Sequence, residues 1–106
     1  MANENISMSE HLDIVRQWAS EIREIERVWI IGSRARGNHR LNSDLDVWVQ
    51  AWSGWWAFEH KKWKDDLQAR LRFIDLHLVE YQGENSPLAK RTGGQRILVY
   101  SKEGAT

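Results

Sequence analysis

Two short segments carry residues whose types and spacing could do chemistry. The first is Gly32-Ser33-Arg34-Ala35-Arg36-Gly37; the second, Ser43-Asp44-Leu45-Asp46, places its first aspartate seven residues past Gly37. A Gly-Ser turn at the end of an apolar run can aim backbone N–H groups at an anion, and glycine lets that anion come close. The Ser33 hydroxyl can donate to a terminal phosphate oxygen. Arg36 and Arg34 offer guanidinium groups that match phosphate geometry and would neutralise its outer charges. Asp44 and Asp46 stand at positions i and i+2, ~6–7 Å apart on one face of a strand. Two unpaired carboxylates there repel, and one would resist ionising. A divalent cation such as Mg²⁺ removes the conflict, because hard cations take oxygen ligands. Together the segments describe a nucleoside triphosphate site, one part gripping phosphates and the other holding metal.

In two-ion phosphoryl transfer the metals stand ~3.5–4 Å apart and need a further carboxylate from a neighbouring strand. Asp75 is the candidate by register, between Ile74 and Leu76 on the polar face of its segment. His77 shares that face as a metal ligand, a proton acceptor or, the preferred reading, a polar lining residue. His11, His39 and His60 show no metal-building spacing. Trp48 follows Asp46 on the same face, where it could stack on a base or, as preferred, pack in the core or line the cleft. Each element alone has a plainer reading. Asp44 beside Asn42-Ser43 suits an Asx turn, and a lone Gly-Ser is only a turn. The combination is what favours phosphate and metal chemistry.

The elements that must position these residues follow from periodicity. Ser7 to Arg27 reads as a helix, with Ser7 and Glu10 as a capping box and Leu12, Val15, Trp18, Ala19, Ile22 and Ile25 on one face. Val28 to Ile31 reads as a buried strand ending at Gly32. Arg34 to Gly37 suits a short helical turn and Asn38 to Ser43 a polar loop. Asp44 to Gln50 alternates, with Leu45, Val47 and Val49 opposite Asp44, Asp46 and Trp48. Phe73 to Val79 repeats the pattern. Between them, Trp55 to Arg72 has a helical stripe through Trp56, Trp63, Leu67 and Leu71. Ser86-Pro87 starts a last short helix, which Gly93-Gly94 ends, and Arg96 to Tyr100 is a final strand. The order predicts an α/β fold: a single small mixed β-sheet with helices packed on one face.

The pattern Gly-Ser-x-Ala-Arg-Gly followed by Ser-Asp-x-Asp resembles the minimal nucleotidyltransferases (MNT) of the polymerase-β-like superfamily. The resemblance covers about Val28 to Tyr100 and is sharpest from Gly32 to Val49. It implies that Gly32 and Ser33, with Arg34 and Arg36, bind the triphosphate, and that Asp44, Asp46 and Asp75 hold two catalytic Mg²⁺ ions. The third-carboxylate strand of the family commonly reads Asp-Leu-Val; here it is Asp75-Leu76-His77. Members transfer a nucleoside monophosphate, from ATP in the reading favoured here, to an acceptor hydroxyl. Several small members pair with HEPN-domain ribonuclease toxins, acting as antitoxins that adenylylate the toxin and complex with it. The resemblance thus implies a small helical HEPN-type partner and a prokaryotic cytoplasm. Two other functions stay open: a binding module that neutralises its partner by occlusion, and nucleotidylation of a small molecule.

Size and composition set the frame. The 106 residues fit one domain, 1–106. Cysteine is absent, which excludes disulfides and thiolate metal sites. Fifteen basic residues balance fifteen acidic ones, so no broad nucleic-acid footprint, and no sequence-specific nucleic-acid binding, is expected. No stretch approaches the ~20 apolar residues of a membrane span, and the N-terminus has no signal-peptide core. Four of seven tryptophans, Trp52, Trp55, Trp56 and Trp63, fall within twelve positions. That excess favours an interface at Trp52 or Trp55 and core positions for Trp56 and Trp63; a homo- or hetero-oligomer is compatible with it.

Overall fold

The computed structural model describes residues 8–32, 44–71, 74–92 and 96–102. The elements run α1 (Met8–Ser20), β1 (Ile25–Ile31), β2 (Leu45–Ala51), α2 (Trp55–Arg70), β3 (Leu76–Glu80), α3 (Pro87–Thr92) and β4 (Ile97–Ser101). This is the order the periodicity predicts, in an α/β architecture with one mixed sheet. The four strands lie in the order β3-β2-β1-β4. β1 pairs antiparallel with β2 and β4, while β2 pairs parallel with β3.

Alternation decides what each sheet face meets. Val28 and Ile30 of β1 and Leu45, Val47 and Val49 of β2 point to one side, where Val15, Trp18 and Ala19 of α1 and Trp63 and Leu67 of α2 cover them. Burying such aliphatic and aromatic side chains stabilises the fold by ~1.5–3 kcal/mol each, so this layer dominates its stability. The intervening positions Trp29, Ile31 and Trp48 point to the other side, where Ala89 and Leu88 of α3 meet them. The two long helices therefore share one face, and the short third helix covers part of the other. On that second face Tyr81 packs its ring 4.9 Å from Trp29 and 4.8 Å from Trp48. The Arg96 guanidinium lies over both indoles, at 5.5 and 5.2 Å. Trp48 is fully buried and its indole N–H donates to the Glu80 carbonyl at 3.2 Å, so it is core rather than a platform for a base.

Several boundaries differ from the sequence reading. α1 stops at Ser20 instead of continuing to Arg27, and Ile25 to Arg27 belong to β1. The turn between them closes by Ile22 N–H donating to Ala19 O at 3.1 Å and Ile25 N–H to Ile22 O at 3.1 Å. Ile22 and Ile25 keep a helical spacing to Trp18, yet Ile22 packs half-buried from a turn and Ile25 is buried from a strand. β3 starts at Leu76, so Asp75 lies one residue before it rather than mid-strand. The expected N-cap of α3 is present: Ser86 Oγ accepts from Ala89 N–H at 3.2 Å. Ser7, the 34–37 turn, the whole 38–43 loop and Gly93-Gly94 lie outside the described residues.

Candidate active site

The site begins where β1 ends. Gly32 follows Ile31 with φ +78°, a left-handed conformation that glycine adopts without steric cost. Ile31 is the register partner of Asp46 on β2. A Cβ built on Gly32 would overlap the Asp46 carboxylate, so the absence of a side chain at 32 is what lets that carboxylate lie against the turn. Asp46 points to the same face as buried Trp48, and its side chain is 28% exposed.

The parallel pairing of β2 with β3 brings the remaining polar residues alongside. Leu45 is opposite Leu76, and Asp46 is opposite His77. Leu45 N–H donates to Asp75 O at 2.8 Å. Asp44 and Asp75 each precede the first paired residue of their strand, so they occupy adjoining positions, both exposed. His77 Nδ1 stands 3.2 Å from Asp46 Oδ1, and the imidazole is 67% exposed. Among the described residues, no three acidic or histidine side chains already converge on one point. The backbone instead sets Asp44, Asp46, Asp75 and His77 along two neighbouring strand ends, with Asp44, Asp75 and His77 exposed and Asp46 partly so. An oxygen-rich donor set beside a glycine cradle fits a hard divalent cation.

A cleft of about 760 Å³ leads away from this point along the β3 edge. That is within the range of small-ligand sites. Gly32, Asp46 and His77 stand at one end; Val79, Glu80 and Gln82 continue it, and Pro87, Leu88 and Arg91 of α3 form a wall. The α3 wall and Arg91 were not among the residues singled out by sequence. Their one signal was the Ser86-Pro87 start of α3, which places a helix there without saying which sheet face it covers. Ser33, Arg34 and Arg36, expected to grip phosphates, lie outside the described residues.

Comparison with known proteins agrees with this fold. The sequence profile of the family described as polymerase beta, nucleotidyltransferase, matches residues 12–105. No curated protein matches the chain significantly. Among solved structures, a toxin–antitoxin structure with AMP-PNP is 18% identical with a TM-score of 0.71, covering 87% of this chain and 74% of the other. A tri-AMPylated HEPN toxin of Shewanella oneidensis in complex with its MNT antitoxin gives 14% identity, TM-score 0.68, and 92% and 75% coverage. A candidate nucleotidyltransferase from Sulfolobus solfataricus gives 24% identity, TM-score 0.53, and 88% and 78% coverage. At such identities the likeness is one of fold. Because the profile matches nearly the whole of this chain, residues 12–105, the chain belongs to the polymerase-β nucleotidyltransferase family.

Proposed function

We infer that the protein is a Mg²⁺-dependent nucleotidyltransferase that moves AMP from ATP to a hydroxyl group of a partner protein, as the antitoxin half of a toxin–antitoxin pair. The observation that carries this reading is Asp46, held against Gly32 at the head of a cleft and beside Asp44 and Asp75 on adjoining strand ends. Support for the acceptor comes from the structural relatives, one an AMPylated toxin in complex with its MNT antitoxin and another a toxin–antitoxin structure with AMP-PNP.

Each role falls to residues of this chain. Gly32 and Ser33, with Arg34 and Arg36, hold the β- and γ-phosphates through backbone N–H, hydroxyl and guanidinium groups. Asp44, Asp46 and Asp75 are the residues that would hold divalent cations. Bound there, Mg²⁺ would offset the phosphate charge and favour ionisation of the acceptor hydroxyl. The hydroxyl oxygen attacks the α-phosphorus in line, the bond to the bridging oxygen of pyrophosphate breaks, and Asp75 takes the hydroxyl proton. The cleft along β3 admits the acceptor, and a partner seated over its open side would exclude water. No described helix is long and apolar enough to cross a membrane, which accords with the cytoplasmic setting proposed here.

The test is incubation with α-labelled ATP, Mg²⁺ and the partner recovered by pull-down from the host, followed by intact-mass measurement. An AMP adduct on the partner that disappears with Asp46→Asn is the expected result. A stable complex with no adduct would replace transfer by occlusion as the mode of action. Efficient labelling of small molecules by the protein alone would remove the partner from the account.

A further inference from the structure

We propose that His77 is a direct ligand of the cation held by Asp46, and that it gives this site a preference for Mn²⁺ and similar first-row divalent ions over Mg²⁺. The inference rests on the reading that Asp46 binds a divalent cation.

The geometry of the pair is the first argument. His77 is the register partner of Asp46 across a parallel ladder, so both side chains leave the same sheet face. Nδ1 and Oδ1 are 3.2 Å apart. With the proton on Nδ1 the pair is an ordinary hydrogen bond; with it on Nε2 both facing atoms are acceptors and can present their lone pairs to one cation. Two ligands ~2.1 Å from an octahedral ion stand ~3.0 Å apart. At ~2.0 Å from a tetrahedral ion they stand ~3.3 Å apart. The observed spacing lies between these, so the two atoms can meet one ion with little movement.

Placement and chemistry are the second argument. The other Asp46 oxygen is confined by Gly32, so the carboxylate cannot swing away from His77 on that side. The imidazole, by contrast, is mostly exposed, which leaves it free to adjust to an incoming ion. Imidazole nitrogen is a borderline donor. It suits Mn²⁺, Co²⁺ or Zn²⁺ better than Mg²⁺, which favours oxygen ligands and retains its waters. A nitrogen at this position therefore strengthens binding of the former group while adding little for Mg²⁺.

Pulsed electron paramagnetic resonance on the full chain loaded with Mn²⁺ reads this directly. The native protein should show ¹⁴N coupling to the bound ion. His77→Val and His77→Asn should both lose it and bind Mn²⁺ about tenfold more weakly or worse. Mg²⁺ affinity, measured by competition, should change far less. His77→Asn keeps a polar side chain at an exposed position and guards against a folding defect in the valine variant. Absence of ¹⁴N coupling in the native protein, or its persistence in both variants, would overturn the role of His77. In the first of these cases the metal reading would still stand if Asp46→Asn released Mn²⁺. Mn²⁺ bound at unchanged affinity in Asp46→Asn would overturn the metal reading itself and the proposal with it.

Discussion

Gly32 and the carboxylate of Asp46 share one space: the hydrogen on the glycine Cα is all that separates the end of β1 from the side chain of its register partner on β2. Gly32, which opens the turn proposed to grip phosphate, and Asp46, proposed to hold metal, stand fourteen positions apart in the chain and become neighbours through one antiparallel pairing.

Gly32→Ala tests that relationship. The new methyl group collides with the Asp46 carboxylate and must also adopt φ +78°, a left-handed conformation costing about 1–3 kcal/mol for a non-glycine residue. Chemical denaturation should show a loss in this range, and nucleotidyl transfer should fall further than stability because Asp46 is displaced. A variant with native stability and native transfer would show that the contact has no role.

Asp44→Asn and Asp46→Asn should each abolish cation-dependent transfer while the protein stays folded, since neither carboxylate supports the hydrophobic layers. Circular dichroism and labelled-ATP transfer, run side by side, separate the two properties. Full activity in a folded Asp46→Asn protein would remove the site from the account.

Much of this arrangement is legible in local pattern. The alternation from Asp44 to Gln50 told Leu45, Val47 and Val49 from Asp46 and Trp48, and both sets face as expected. Ser86-Pro87 marked a helix start that the Ser86 cap confirms. The end of α1 was not legible, because Ile22 and Ile25 continue its spacing with no glycine or proline to break it. Nor was the pairing of Asp46 with His77. That depends on how far α2 and its flanking turns carry the chain before β3 begins, a sum of distant contacts that no short window contains. Phe58 stands off the α2 stripe, since helical periodicity turns it away from Trp63 and Leu67.

The link between β4 and the 81–86 segment predicts a pH dependence. Arg96 donates to Glu84 at 2.8 Å and Tyr81 donates to the same carboxylate at 2.6 Å. Chiefly through Arg96, and then Tyr81, these bonds hold the Glu84 pKa below its ordinary 4.5. A carboxyl whose pKa is depressed on folding stabilises the protein above its unfolded value and loses that contribution as pH falls through the folded one. Glu84→Gln should therefore melt below the native protein at pH 7, with the gap closing as pH drops below about 4.5. A constant difference from pH 7 to pH 3 would contradict the assignment.

The N-terminal end of α2 sets exposed aromatic side chains beside buried ones. Trp63 is buried against α1 and the sheet, whereas Phe58 is 82% and Trp55 37% exposed. Trp56 is half-buried, stacked on His60 with ring centroids 5.2 Å apart, and Trp52 carries the Arg23 guanidinium at 5.6 Å and the Lys102 ammonium at 5.0 Å. Large aromatic side chains gain little by facing water, and aromatics are enriched at interface hot spots, where truncation can cost ~2 kcal/mol or more of binding. Trp63→Ala should lower unfolding stability by about 3–5 kcal/mol. Trp55→Ala and Phe58→Ser should leave stability nearly unchanged and weaken association with the partner, measured by calorimetry on the purified pair. If both surface variants bind the partner with native affinity, the partner docks elsewhere, and the α3 wall of the cleft at Arg91 becomes the next surface to mutate.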